Sequence, residues 1–296
     1  MFLMAVSVAT RARWDESLRP LAAAAFTRLV PIAMLLLALA LWARPESPAG
    51  ASALPAAWLA REFVLVRSVA YAGLWWLGAR AVKQPRASQG TAAAVLIMLV
   101  LTGWLAASDW LLSLMPGWIS TIFGVYVFVG FVVSALAAIL LGCVVERVRK
   151  PASGRITDAQ LRDLATLLFG LTCVWMYLWY SQYMLIWYTN QPHETAFYVL
   201  RTGPAWQGYF WSTVALKWAV PFALLMSRAG KSNLTVLAAA AASVLAGHWL
   251  ELYVTIVPAT SVATSAPGRT EAAFIVALIG AIGATFVARP SSTENR

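Results

Sequence analysis

His248 and Glu251 stand three residues apart in Gly247-His248-Trp249-Leu250-Glu251-Leu252-Tyr253. On a helix that spacing puts both on one face. A histidine and a carboxylate sharing a buried face adjust each other's proton affinity and can exchange a proton. The plainer reading is a hydrogen-bonded clasp between helices. Gly247 leaves space beside the imidazole. Lys217 falls near the middle of the apolar run 206–227, too deep to snorkel to an interface, so it must meet a carboxylate or a carbonyl. Asp109 lies about one turn from the end of the run 91–114, in Ala107-Ser108-Asp109-Trp110. It reads either as a protonatable member of a path or as a carboxylate tied to a neighbouring helix end. Arg67 lies about two turns inside the run 61–80, and either cation suits either carboxylate. Asp109, His248 and Glu251 are therefore the candidates for a proton path, with Lys217 and Arg67 setting their proton affinities. Ion-pair glue is an equal reading for the two cations. His193 and Glu194, in Asn190-Gln191-Pro192-His193-Glu194, follow the polar step Ser181-Gln182-Tyr183. They are outer-loop candidates for a proton exit or a docking surface, against a plain capped turn.

Other chemistry finds little material. A bis-histidine haem would need both histidines, His193 and His248, and His193 falls in a loop. Cys143 and Cys173 sit in apolar runs with no C-x-x-C, and read as buried thiols. No P-loop, dinucleotide fingerprint, zinc-protease or serine-hydrolase motif stands in a useful context. The expectation is no catalytic residue, no metal site and no cofactor held by this chain itself.

The elements that must position these residues follow from composition. Of 296 residues, 61% are apolar and only 11% charged, less than half the share in a soluble domain. A soluble fold cannot cover itself with so few polar side chains, so the chain is expected to be integral to a membrane. Eight candidate spans occur, at 26–43, 61–80, 91–114, 119–142, 162–188, 206–227, 233–257 and 271–288. The runs lack period-two alternation, which excludes spanning strands. The expected architecture is an all-α, polytopic bundle forming a single domain over 1–296. Sixteen Lys and Arg fall in loops on one side and four, Arg44, Arg61, Arg201 and Arg269, on the other, which puts both termini in the cytoplasm. The net charge of +10 resides in these loops and not on a polar domain, so no nucleic-acid partner is expected. The apolar stretch Met1–Ala9 has no basic residues before it and is too short to span.

Several of the 15 tryptophans, including Trp104, Trp110, Trp118, Trp175, Trp179, Trp187 and Trp206, fall near expected outer ends and read as an interfacial belt. A ring-stacking quinone pocket is the sharper alternative. Ser120, Gly124, Gly130, Ser134, Ala138 and Gly142 read as a small-residue packing face.

Four stretches carry a resemblance. They are Asp109–Leu114 with Trp118–Tyr126; Ser181–Tyr188 running into His193-Glu194-Thr195; Pro221–Arg228 with Lys231; and Gly247–Tyr253 ending at Pro258. In order and spacing they resemble the F subunit of bacterial alternative complex III, a quinone-binding-type subunit of quinol:cytochrome c oxidoreductase related to the NrfD-like polysulfide-reductase membrane subunits. The resemblance covers about residues 15–290. It departs in three ways. That family normally has ten spans and this chain starts at the third; the family often has Asp where Glu251 stands; and it often has Glu where His193 stands. The resemblance implies a bacterial inner-membrane subunit of a respiratory complex that oxidises quinol. Its partners would be membrane, iron–sulfur and haem c subunits, with quinone bound at the level of the complex. This subunit would support the quinone region or conduct protons. Two other readings stay open: a structural or assembly protein beside a terminal oxidase, and, last, a small-solute or ion transporter.

Overall fold

The computed structural model describes residues 1–10, 57–58, 60–84, 87–115, 117–151 and 156–260. The expected first and last spans, 26–43 and 271–288, lie outside the described residues. Among the described residues 87% are helical and none is in a strand, so the fold class is all-α.

The helices are α1 (Phe2–Thr10), α2 (Arg61–Lys83), α3 (Gln89–Trp110), α4 (Thr121–Arg149), α5 (Asp158–Thr189), α6 (Pro192–Thr202), α7 (Gln207–Val214), α8 (Val220–Leu225) and α9 (Leu234–Thr260). Four segments, Gln89–Leu114, Thr121–Arg149, Asp158–Thr189 and Leu234–Ala259, are long and apolar enough to cross a membrane. Between 33% and 61% of each apolar window is buried inside the protein, which leaves apolar side chains such as Ile97, Leu101 and Val174 facing outward, as lipid requires. The chain thus has the character of a membrane helix bundle. The expected span 61–80 is helical, but α2 carries Arg61, Glu62, Arg67, Arg80 and Lys83 and falls outside those four. The expected span 206–227 is divided, because a π-helical segment, Ala215–Ala219, separates α7 from α8.

Local sequence sets the helix ends. Thr157 and Gln160 form a reciprocal capping box that starts α5. Asn190, at φ 48°, ends it in the left-handed conformation that asparagine tolerates, and Pro192 opens α6 at once. Ser88 caps α3 by accepting the Thr91 N–H at 3.0 Å.

Helix α4 is central and packs along α9, α5 and α3. The large core is built from α4, α5, α6, α7 and α9, around Phe123, Leu136, Leu168, Trp175 and Val244. A smaller core, Met4, Ala5, Val82, Val95 and Leu99, joins α1, α2 and α3. The large core encloses Lys217, His248 and Glu251, whereas Arg67 and Asp109 meet at the opposite ends of α2 and α3 from the smaller core.

Candidate functional site

Pro221 shapes the ground under the first cluster. A proline lacks the N–H that a helix needs at that position, and its ring crowds the preceding turn. Here the helix swells: Val220 N–H bonds to Ala215 O, the five-residue step of a π-turn. In that register the carbonyl of Leu216 would look to Pro221 for a donor and find none. Ser243 of α9 supplies it, Oγ donating to Leu216 O at 2.6 Å. One turn further along α9, Gly247 lets the two backbones close up. A Cβ there would stand 2.8 Å from Lys217 N and 3.0 Å from Lys217 Cβ.

Lys217 therefore projects from a swollen turn into α9, and it is fully buried. Its Nζ contacts Glu251 Oε2 and lies 3.0 Å from His248 Nδ1. His248 Nδ1 is in turn 2.9 Å from Glu251 Oε2. The other carboxylate oxygen, Oε1, accepts the Trp175 indole N–H at 2.9 Å. The ammonium also stands 4.6 Å from the centre of the Trp175 ring, a cation–π contact. Phe131 of α4 meets the imidazole edge-on at 5.1 Å. Gly130 completes the pocket, since a Cβ there would lie 3.0 Å from Lys217 Nζ and 3.4 Å from Glu251 Oε2.

The triad contains a competition. The single in-plane position on His248 Nδ1 either donates a proton to Glu251 or accepts one from Lys217. Both contacts are within hydrogen-bond distance, so the tautomer selects between them. Nε2 carries the complementary state, and it is buried with no hydrogen-bond partner among the described residues. One proton relocated on the ring thus changes which neighbour is satisfied.

The second cluster is built differently. Asp109, fully buried near the end of α3, accepts four hydrogen bonds. Arg67 supplies two as a fork, Nε to Oδ2 at 2.9 Å and Nη2 to Oδ1 at 2.8 Å. Tyr71 OH donates to Oδ2 at 2.9 Å and Trp58 Nε1 to Oδ1 at 3.0 Å. The guanidinium lies in the corner between the Trp58 and Phe63 rings, 4.0 and 4.3 Å from their centres, the two rings meeting edge to face. Among the described residues no hydrogen bond or ion pair joins the two clusters. The five ionisable residues expected within spans thus divide as Lys217–His248–Glu251 and Arg67–Asp109.

His193 and Glu194 lie in the first turn of α6. His193 is exposed, while Glu194 Oε2 accepts from Thr189 Oγ1 at 3.2 Å and its carbonyl accepts the Trp118 indole N–H at 3.0 Å. With Ser120, Thr121, Gln182 and Leu185 they line a cavity of about 510 Å³ that opens to the protein surface, the outer of two. A narrower cavity, about 20 Å³ and large enough for one water molecule, lies between Glu251 and Arg201, walled by Tyr126, Gln182 and Thr213.

Arg201, counted from the sequence as an outer-loop charge, is 2% exposed. Pro258 explains it. Without a proline N–H the carbonyl of Val254 has no helical donor. Arg201 Nε donates to it at 2.9 Å, while Nη2 donates to Thr255 O at 2.8 Å and Nη1 to Phe197 O at 2.8 Å. Prolines 221 and 258 are thus each answered by a polar side chain from a neighbouring helix.

Sequence reasoning missed Trp175, Ser243, Arg201 and Gly130 as parts of this site. Trp175 was expected in the interfacial belt, and it is instead fully buried with its N–H on Glu251. Trp118, Trp179 and Trp206 are also buried, whereas Trp104 and Trp187 face outward. The small residues of α4 do not share one role: Gly124 admits the Trp104 ring, and Gly130 admits the Lys217 ammonium. The available signal for Ser243 and Arg201 was the pair of prolines, each of which frees a carbonyl in its own helix.

No protein-family model matches the chain, and no curated protein matches it.

Proposed function

We propose that the chain is a multi-pass subunit of a quinol-oxidising respiratory complex in a bacterial inner membrane, and that Lys217, His248 and Glu251 move protons within it. One observation carries the proton role: three ionisable side chains from two apolar helices meet around a single nitrogen, His248 Nδ1. Charged groups inside a membrane protein are costly and mark ion or proton pathways. A structural clasp would be best served by fixed donors and acceptors. This triad instead holds two groups that compete for one ring position. The step itself needs no cofactor. A proton reaching Glu251 can pass to Nδ1 and return to the carboxylate, and Lys217 holds the site's charge during the exchange. The quinol context is supported by the four ordered sequence stretches that resemble alternative complex III F subunits, of which Gly247–Tyr253 holds His248 and Glu251.

The test has two parts. Purification from native membranes in mild detergent should bring iron–sulfur and multihaem cytochrome c subunits along. Isolation alone, or with a terminal oxidase only, would remove the quinol-oxidoreductase reading. In the recovered complex Glu251→Gln should lower proton release per electron while assembly persists, and an unchanged stoichiometry and rate would sink the proton role.

The second reading, a structural or assembly subunit, is favoured by one feature, the Asp109 carboxylate on which four donors converge. It predicts that His248→Ala lowers thermal stability with no separate defect in turnover.

A further inference from the structure

The outer cavity and the inner cavity share one wall residue, Gln182. It sits in α5 between Ser181 and Tyr183, is 3% exposed, and its amide makes no hydrogen bond to any described residue. An amide has two donors and an acceptor, and burying them unpaired in an apolar bundle is unfavourable. The cost falls when water on either side completes them. On one side is a cavity of about 510 Å³ with the exposed His193 at its mouth. On the other is a cavity of about 20 Å³, which admits one water beside Glu251. The remaining walls of the inner space offer the hydroxyls of Tyr126, Tyr198, Thr213 and Thr255 as partners for that water, and the Arg201 guanidinium, already held by three carbonyls.

We infer that Gln182 is the gate through which water passes from the His193–Glu194 cavity to Glu251. The amide bonds a water on each side in turn, so exchange across the wall requires only rotation about its side-chain torsions. This makes the outer loop and the buried triad the two ends of one route. It rests on the proton-conduction reading only for what the water delivers; the route itself is a separate claim.

The experiment reads water access directly. The Trp175 indole N–H is bonded to Glu251 Oε1, so its exchange with deuterium reports water arriving at the inner cavity. It is followed by NMR in the purified full chain in nanodiscs, with the Trp118 indole, bonded to the Glu194 carbonyl at the outer end, as an internal reference. Gln182→Met keeps the length and removes every hydrogen-bonding atom. It should slow Trp175 exchange about tenfold, the scale of one lost hydrogen bond to a passing water. Gln182→Ala removes the wall and should accelerate exchange by about the same factor. Trp118 should keep its wild-type rate in both. Wild-type Trp175 exchange in either variant, or a shift in the same direction in both, would overturn the gate. If one variant fails to fold, the sign of the other still decides. Proton release measured on the same variants separates the two claims: altered exchange with unaltered proton release keeps the gate and removes the proton role.

Discussion

Two buried carboxylates occupy the same bundle under opposite terms. Asp109 has four donors on its two oxygens, two of them from one rigid guanidinium, and nothing around it competes. Glu251 shares a lysine with a histidine that also needs the carboxylate, and the far nitrogen of that histidine has no partner among the described residues. The Asp109 pair offers one arrangement, because each carboxylate lone pair is already engaged by a donor. A contested pair changes state when a single proton moves. The difference teaches where to look for function: the charge itself is common to both sites, and only the triad has an alternative arrangement available to it.

The largest expected effect comes from breaking the saturated site. Arg67→Met should leave the buried Asp109 carboxyl with only the Tyr71 and Trp58 donors. The expected loss is about 3–5 kcal/mol, enough to prevent recovery of folded protein. Thermal unfolding in detergent, or yield where none folds, measures it. The matching change at the other site, Lys217→Met, should lose less, on the order of 1–3 kcal/mol. Glu251 keeps His248 Nδ1 and the Trp175 indole N–H as partners there, and the imidazole tautomer can adjust to it. Equal losses in the two variants would erase the distinction between the sites.

A smaller effect tests the support under the triad. Ser243→Ala should leave the Leu216 carbonyl without a donor beside the π-segment, at a cost of about 1–2 kcal/mol. The unfolding midpoint reads the loss. A midpoint equal to wild type would mean that the swollen turn at Lys217 stands without this bond.

How much of this was legible in the sequence depends on which physical rule was local. His248 and Glu251 could be placed on one face because helix geometry alone relates positions three apart. The helical class and the approximate limits of 91–114, 162–188 and 233–257 followed from long apolar runs. Which cation served which carboxylate did not follow, because Lys217 and Arg67 meet their partners across helices, and helix adjacency is a property of the packed bundle. Trp175 was misread for a related reason. A tryptophan near a span end has a generic explanation at the interface, and only the approach of α9 reveals the Glu251 carboxylate facing its N–H. Arg201 illustrates the reverse case. Its position between spans counted it as a solvent charge, whereas Pro258, 57 positions along, had created the acceptor that buries it.

The smallest expected change in stability separates packing from chemistry within the triad itself. Gly130→Ala adds a methyl that would stand 3.0 Å from Lys217 Nζ and 3.4 Å from Glu251 Oε2. Those neighbours are the ends of long side chains, so the ammonium can retreat by a few tenths of an ångström without moving either backbone. Alanine is also the better helix former, by roughly 0.5–1 kcal/mol. The two effects nearly cancel, and the unfolding midpoint should stay close to wild type. The ammonium has no such freedom in its bonding. To give way to the methyl it must lengthen its contact with Glu251 or with His248, and either choice biases which of the two holds Nδ1. Gly130→Ala should therefore alter the rate of proton release in the assembled complex while leaving the fold intact. If rate and midpoint both stay at wild-type values, the spacing of the triad is not tuned, and the site is a clasp like the one at Asp109.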